Sequence, residues 1–142
     1  MIYLMNKFYS NLVALLSKKY AQMKEEDVRY EMLNCEDADY VFVAYGTSSR
    51  ICMKSMELAR AKGLKVGLLR PITLFPFPTK QVAELAKRVK GMLCVEMSAG
   101  QMIEDVKLAA NCQIPIEHYG RFGGIIPTPE EVLEAMETKI IK

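Results

Sequence analysis
The sequence predicts an α/β fold of three layers, α/β/α, around a mostly parallel sheet of about five strands, and three observations carry that expectation. Apolar runs of strand length recur along the 142 residues. Most are followed by a stretch whose apolar residues fall at three- and four-residue steps. Glycine, proline or hydroxyl residues stand at the junctions. Strands that alternate with helices are joined by crossovers of one hand, so the strands lie parallel with helices on both faces.

The first helical pattern runs from Asn6 to about Glu26. Phe8, Leu12, Leu15, Leu16, Tyr20 and Met23 share one face, and Asn6, Lys7, Ser10, Asn11, Lys18, Lys19 and Lys24 occupy the other. That apolar face must rest on something. Glu25-Glu26-Asp27 ends the pattern, so residues 1–27 read as a tether or docking helix and residues 28–142 as the α/β domain. Val28 to Leu33 alternates apolar with charged, as an edge strand with one wet face does.

Tyr40 to Tyr45 is a continuous apolar run that suits a central strand covered on both faces. Gly46 turns the chain, and Thr47, Ser48 or Ser49 is expected to cap a helix that reaches Lys62 and stops at Gly63. Lys65 to Arg70 is the next buried strand. Its exit, Pro71-Ile72-Thr73-Leu74-Phe75-Pro76-Phe77-Pro78, is an apolar loop with three prolines. Thr79 is expected to cap a helix through Val89 that Gly91 closes, before the strand Met92 to Glu96. Met97 to Gln101 leads into a helix from Met102 to Ala110. Ile114 to Tyr119 forms a strand near an edge, since Pro115 cannot donate to a ladder. After Gly120-Arg121-Phe122-Gly123-Gly124 comes a last helix, with Thr128 as its cap and Pro129 at its first position.

All four unusual loops follow strands. In a parallel sheet they gather on the one edge where open α/β sheets usually bind.

Composition excludes several partners. A balance of 19 basic against 17 acidic residues, scattered along the chain, gives no footprint for nucleic acid or an anionic membrane. Cys35, Cys52, Cys94 and Cys112 form no Cys-x-x-Cys pair and read as reduced core residues of a cytoplasmic protein. Met1 to Leu16 is interrupted by polar residues and is expected to be neither a signal peptide nor a membrane span.

Chemical signals are sparse. The Gly46-Thr47-Ser48-Ser49 turn can present N–H groups to an anion, but it lacks Gly-x-Gly-x-x-Gly and a Walker lysine, so an ordinary tight βα turn is expected. Glu96, alone at a strand end, is expected to be tied to backbone or to a basic neighbour such as Arg121. His118, with no nucleophile placed beside it by any motif, reads as structural. Two aromatics on a proline-stiffened loop suit an interface, and at least one of Phe75 and Phe77 is expected to contact a partner.

Val43-Ala44-Tyr45-Gly46-Thr47, Gly67 to Pro78, Val95-Glu96-Met97-Ser98-Ala99-Gly100-Gln101 and Gly120 to Gly124, in this order, resemble the C-terminal domain of the alpha subunit of 2-oxoacid:ferredoxin oxidoreductases. That domain is transketolase C-terminal-like, and the resemblance covers Val28 to the end, with residues 1–27 similar to the family's connector helix. Ser98 stands where the family usually has asparagine, and Phe122 where it usually has proline. The resemblance implies oxidative decarboxylation of a 2-oxoacid, 2-ketoisovalerate or another, to acyl-coenzyme A on thiamine diphosphate with Mg2+, with electrons passing through iron–sulfur clusters to ferredoxin.

It also implies that those cofactors are held elsewhere, because this chain has no diphosphate-binding Gly-Asp-Gly run and no cluster spacing. No catalytic, cofactor-binding or metal residue is expected here. The roles implied are structural: Gly46 and Thr47 at the first turn, Pro76 and Pro78 in the loop, Glu96, Gly100 and Gln101 at the third exit, and Arg121, Gly123 and Gly124 at the fourth. Expected partners are the other domains and subunits of the same oxidoreductase, with a homodimer through Phe77 as a further option. The alternative is a free-standing anion- or nucleotide-binding module on the Gly46 and Gly120 loops.

Overall fold
A computed structural model describes the backbone from Ile2 to Lys142 and the side chains from Asn6 onward; Met1, at the head of the expected connector, lies outside the described residues. The elements run α1 (Ile2–Glu26), β1 (Tyr30–Leu33), β2 (Tyr40–Ala44), α2 (Gly46–Ala61), β3 (Val66–Pro71), α3 (Thr79–Ala86), β4 (Gly91–Glu96), α4 (Met102–Ala109), β5 (Ile116–Gly120) and α5 (Pro129–Met136). The chain continues from α5 into a π-helical turn over Glu137–Ile141.

The five strands form one sheet in the order β1-β3-β2-β4-β5. Parallel pairs join β2 to β3, β2 to β4 and β4 to β5, and β1 runs antiparallel along β3 as one edge. Central position explains the composition of β2 and β4. With a helix layer on each side, neither strand has a wet face, so apolar residues occupy both parities.

Alternate residues of each strand enter different cores. Val41, Val43, Met92 and Cys94 pack with Val82, Leu85, Ile103 and Val106 of α3 and α4, whereas Phe42, Leu93 and Val95 pack with Cys52 and Met56 of α2 and Val132 and Met136 of α5. The crossover through α2 moves one way along the sheet, and those through α3 and α4 move the other way on the opposite face, as crossovers of a single hand require.

Two side-chain ties fix segments beside the sheet. Arg60 of α2 donates from Nε to the Val66 carbonyl and from NH2 to the Asn34 carbonyl and Asp37. The same guanidinium holds the Asp37 carboxyl below the usual carboxylate range. At the other edge, Lys139 Nζ in the π-helical turn donates to the His118 carbonyl of β5 at 2.7 Å.

Several expectations need correction. Thr47, Ser48 and Ser49 cap nothing: α2 begins at Gly46 itself, its N-cap Tyr45 makes no side-chain cap, and Ser49 Oγ donates to the Gly46 carbonyl at 2.7 Å. Thr79 is already the first residue of α3, and Pro78 precedes it without a side-chain cap. Cys35, Cys52 and Cys94 are buried as expected, but Cys112 is exposed. The α1 face, expected to rest on something, finds little cover among the described residues: Phe8, Leu12, Leu15, Leu16 and Tyr20 are 39–67% exposed. Of the expected N-caps, that of Thr128 is found, with Thr128 and Glu131 forming a reciprocal capping box at α5.

Candidate functional site
Because β2 to β5 are parallel, the loops after Ala44, Pro71, Glu96 and Gly120 line one rim of the sheet. Connections leave in opposite directions from β2 and β4, so the crevice between their carboxyl ends is the switch point where such sheets bind ligands. Glu96 closes that crevice. Its side chain is fully buried. Oε1 accepts from the backbone nitrogens of Met102 at 2.8 Å and Gln101 at 3.2 Å, and Oε2 accepts from Ile103 at 3.2 Å. Ser98 Oγ adds a longer contact of 3.4 Å to Oε1.

A buried carboxylate is tolerated because the first N–H groups of α4, at the positive end of its dipole, surround it. Of the two partners expected for Glu96, the backbone is therefore the one found. Arg121 bonds instead to the Tyr119 hydroxyl at 3.4 Å and to Glu131 at 2.6 Å, contacts that raise its guanidinium pKa further.

His118 stands beside Glu96 with Nε2 3.8 Å from Oε2, and that nitrogen has no hydrogen-bond partner. Glycine encloses the ring. A Cβ at Gly120 would lie 2.5 Å from the Ser98 carbonyl and 2.6 Å from His118 Cε1, and one at Gly100 would lie 3.4 Å from Cδ2. Gly100 and Gln101 thus serve the turn that returns the chain to Glu96, with Gln101 as the N-cap residue of α4 contributing its backbone only.

The other loops separate. Gly46 takes φ +56° and is exposed with Thr47, on the first turn of α2. In the proline loop, Pro76 and Pro78 are buried, and Thr73 Oγ1 accepts from the Arg29 nitrogen and donates to the Pro76 carbonyl. Phe77 packs against the core, whereas Phe75 is 59% exposed and meets Tyr20 of α1 edge to face at 5.9 Å. Gly123 and Gly124 form an exposed tip between the exposed Phe122 and Ile125.

Among the described residues no three His, Cys, Asp or Glu side chains are grouped to hold a metal ion. Thiamine diphosphate, Mg2+ and iron–sulfur clusters do not fit the donors present. Both Glu96 oxygens already accept backbone N–H groups, burial pushes the Cys52 and Cys94 thiols up and Cys35 to about 11, and Cys112 is exposed with no grouped partner. Sequence reading anticipates a backbone partner for Glu96 but not which amides, and it misses the tie from Lys139 to β5, because both depend on chain reversals.

Residues 38–132 match the family described as pyruvate:ferredoxin oxidoreductase core domain II. Ketoisovalerate oxidoreductase subunit VorB of Methanothermobacter marburgensis is 49% identical over 118 residues, covering 83% of this chain and 33% of its own. 2-Oxoglutarate synthase subunit KorA of Archaeoglobus fulgidus is 33% identical over 132 residues, covering 93% of this chain and 36% of its own. The chain therefore spans about a third of the length of these relatives. Among solved structures, the 2-oxoglutarate:ferredoxin oxidoreductase of Magnetococcus marinus, with 2-oxoglutarate, coenzyme A and succinyl-CoA bound, superposes with TM-score 0.64 at 22% identity over 78% of this chain and 19% of that one. A split-gene transketolase, an inactive beta4 tetramer, gives TM-score 0.68 at 18% identity over 80% and 41%. These two likenesses concern the fold, which is transketolase-like.

Proposed function
Since the chain belongs to the pyruvate:ferredoxin oxidoreductase core domain II family, we propose that it is the non-catalytic assembly domain of a 2-oxoacid:ferredoxin oxidoreductase whose substrate is 2-ketoisovalerate or a similar branched-chain 2-oxoacid. The observation that carries this is the state of the rim. At the switch point, where an α/β sheet would take a ligand, the carboxylate of Glu96 accepts hydrogen bonds from Gln101, Met102 and Ile103 of the same chain. A site so filled orders loops; it leaves little to recognise a substrate. The preference for 2-ketoisovalerate follows the higher identity to VorB, 49%, than to KorA, 33%.

In this reading the complete enzyme converts the 2-oxoacid and coenzyme A to acyl-coenzyme A and carbon dioxide while reducing ferredoxin. Thiamine diphosphate, Mg2+ and iron–sulfur clusters are held by the parts outside this third. The chain's contribution is to keep neighbouring domains and subunits in register. It works in the cytoplasm, where its free cysteines stay reduced.

Calorimetric titration of the lone chain with thiamine diphosphate and Mg2+ tests this, paired with co-expression alongside the remaining oxidoreductase parts. The expected result is no heat of binding alone and 2-ketoisovalerate-dependent ferredoxin reduction in the complex. A micromolar thiamine diphosphate complex of the lone chain contradicts the reading. Phosphate or nucleotide retained through purification would favour a free-standing anion-binding module instead.

A further inference from the structure
Among the described residues Glu96 is the only buried carboxylate, and no lysine or arginine bridges to it. Its two oxygens are unequally satisfied. Oε1 accepts two amides, at 2.8 and 3.2 Å, whereas Oε2 accepts only the Ile103 amide at 3.2 Å and so keeps a free lone pair. His118 Nε2 lies 3.8 Å from that oxygen, buried and without a partner. A buried polar atom left unpaired is destabilising, and one further proton on this ring would remove the deficit on both sides of the gap.

The tautomer follows from the contact. With a carboxylate oxygen before it, Nε2 carries the hydrogen of the neutral ring, since a bare nitrogen would set lone pair against lone pair; the second proton is taken up at Nδ1. We propose that His118 and Glu96 form a proton-operated latch between the end of β5 and the start of α4: protonation of the imidazole draws Nε2–H onto Oε2, and deprotonation lets the loops at 97–101 and 121–124 relax. Gly100 and Gly120 leave the ring room to move, because a Cβ at Gly120 would stand 2.6 Å from Cε1 and one at Gly100 3.4 Å from Cδ2. The backbone meanwhile stays fixed, as Lys139 Nζ holds the His118 carbonyl. The latch lies within this chain and works the same whichever partner the rim meets.

The elements packed on β5 are β4, α4 and the π-helical turn, and their other charged groups do not replace the pair. Cys94 of β4 stands opposite His118 in register, and burial keeps its thiol neutral. On α4, Glu104 and Asp105 are exposed, and Lys107, half-buried, is a cation that opposes proton uptake. Glu137 of the π-helical turn is bound by Lys62, and Arg121 is bound by Glu131 and Tyr119. Glu117 and Tyr119, neighbours of His118 on β5, point to the opposite face. Imidazole changes charge between pH 5 and 8, and the ion pair exists only while the ring is protonated. Its stabilisation is therefore present at the acid end of that range and lost as pH rises.

His118 is the only histidine of the chain, so its Cε1–H resonance is unambiguous in NMR. Titration of the full chain from pH 8 to 5.5 is expected to move this signal and the Met102 and Ile103 amides with one midpoint. In Glu96→Gln, which removes the charge, the proton affinity of the ring is expected to fall at least roughly threefold. Urea unfolding gives a separate reading. The ratio of the folding constants of wild type and His118→Gln is expected to rise about tenfold from pH 8 to pH 5.5. A ring that titrates with the same midpoint in wild type and Glu96→Gln overturns the latch, as does an Ile103 amide that stays still while the wild-type ring titrates. A ratio to His118→Gln that is flat with pH overturns it too, and this measurement and the wild-type amides decide the matter even where Glu96→Gln does not fold.

Discussion

The carboxylate of Glu96 lies 2.8 Å from the backbone nitrogen of Met102, so the last side chain of β4 caps the helix six residues further on. Replacing it with alanine strands the amides of Gln101, Met102 and Ile103 at a buried helix start. Glu96→Ala is expected to lose about 2–3 kcal/mol of stability, and Glu96→Gln, which keeps one acceptor oxygen, about half of that. Urea unfolding at pH 7 measures both. A loss under about 0.5 kcal/mol for the alanine variant would remove Glu96 from this role.

Two glycines on the same rim separate crowding from backbone strain. At Gly120 a Cβ would approach the Ser98 carbonyl to 2.5 Å, so Gly120→Ala forces β5 or the Ser98 loop to shift and is expected to cost about 2–3 kcal/mol. At Gly46 a Cβ meets nothing within 4 Å, but φ is +56°, so Gly46→Ala is expected to cost only about 1–2 kcal/mol. Thermal unfolding of the pair gives the order, and the reverse order contradicts the packing described.

The phenylalanines of the proline loop divide likewise. Phe77 packs on the core and Phe75 does not. Phe77→Ala is expected to lower stability by about 2 kcal/mol, less than the loss at a fully buried ring, and Phe75→Ala by under about 1 kcal/mol. Equal losses in chemical denaturation would mean that both rings serve the fold.

The thiols have a pH signature. Cys35 ionises at about 11 in the folded chain, because burial outweighs its hydrogen bond to the Leu68 carbonyl, against 9.0 ordinarily. A raised thiol value favours the folded state below about 9, and that contribution is lost as pH rises towards about 11. Cys52 and Cys94 are shifted in the same direction by burial and add to the slope. The melting temperature is expected to fall more steeply across this window in the wild type than in Cys35→Ala. Iodoacetamide at pH 8 should label exposed Cys112 first and the buried three only on unfolding.

Much of the fold is legible in the sequence, for a physical reason. Val41 to Ala44 and Met92 to Val95 are apolar at every position because helices cover both faces, and that signature survives without coordinates. Caps are less legible. Ser49 resembles a cap by type, yet Gly46 enters α2 and leaves the hydroxyls inside the first turn, where Ser49 bonds back to a carbonyl. Glu96 acts across a reversal at Gly100, and no spacing rule links a strand's last residue to amides five to seven positions on. Thr128 and Glu131 are read correctly since the capping box is local, three residues from end to end. The α1 stripe is visible as periodicity, but what covers it is not written in this chain.

The hydrogen bond from Lys139 to the His118 carbonyl bears on how this molecule can grow into something larger. β5 ends the sheet, and its outward backbone is the place where a neighbour's strand would zip on. An ammonium parked on that backbone must be displaced into water before any such extension can begin. Higher-order architecture is thereby steered towards side-chain contacts at the rim and the protruding helix, and runaway ribbon formation is discouraged at the site most exposed to it.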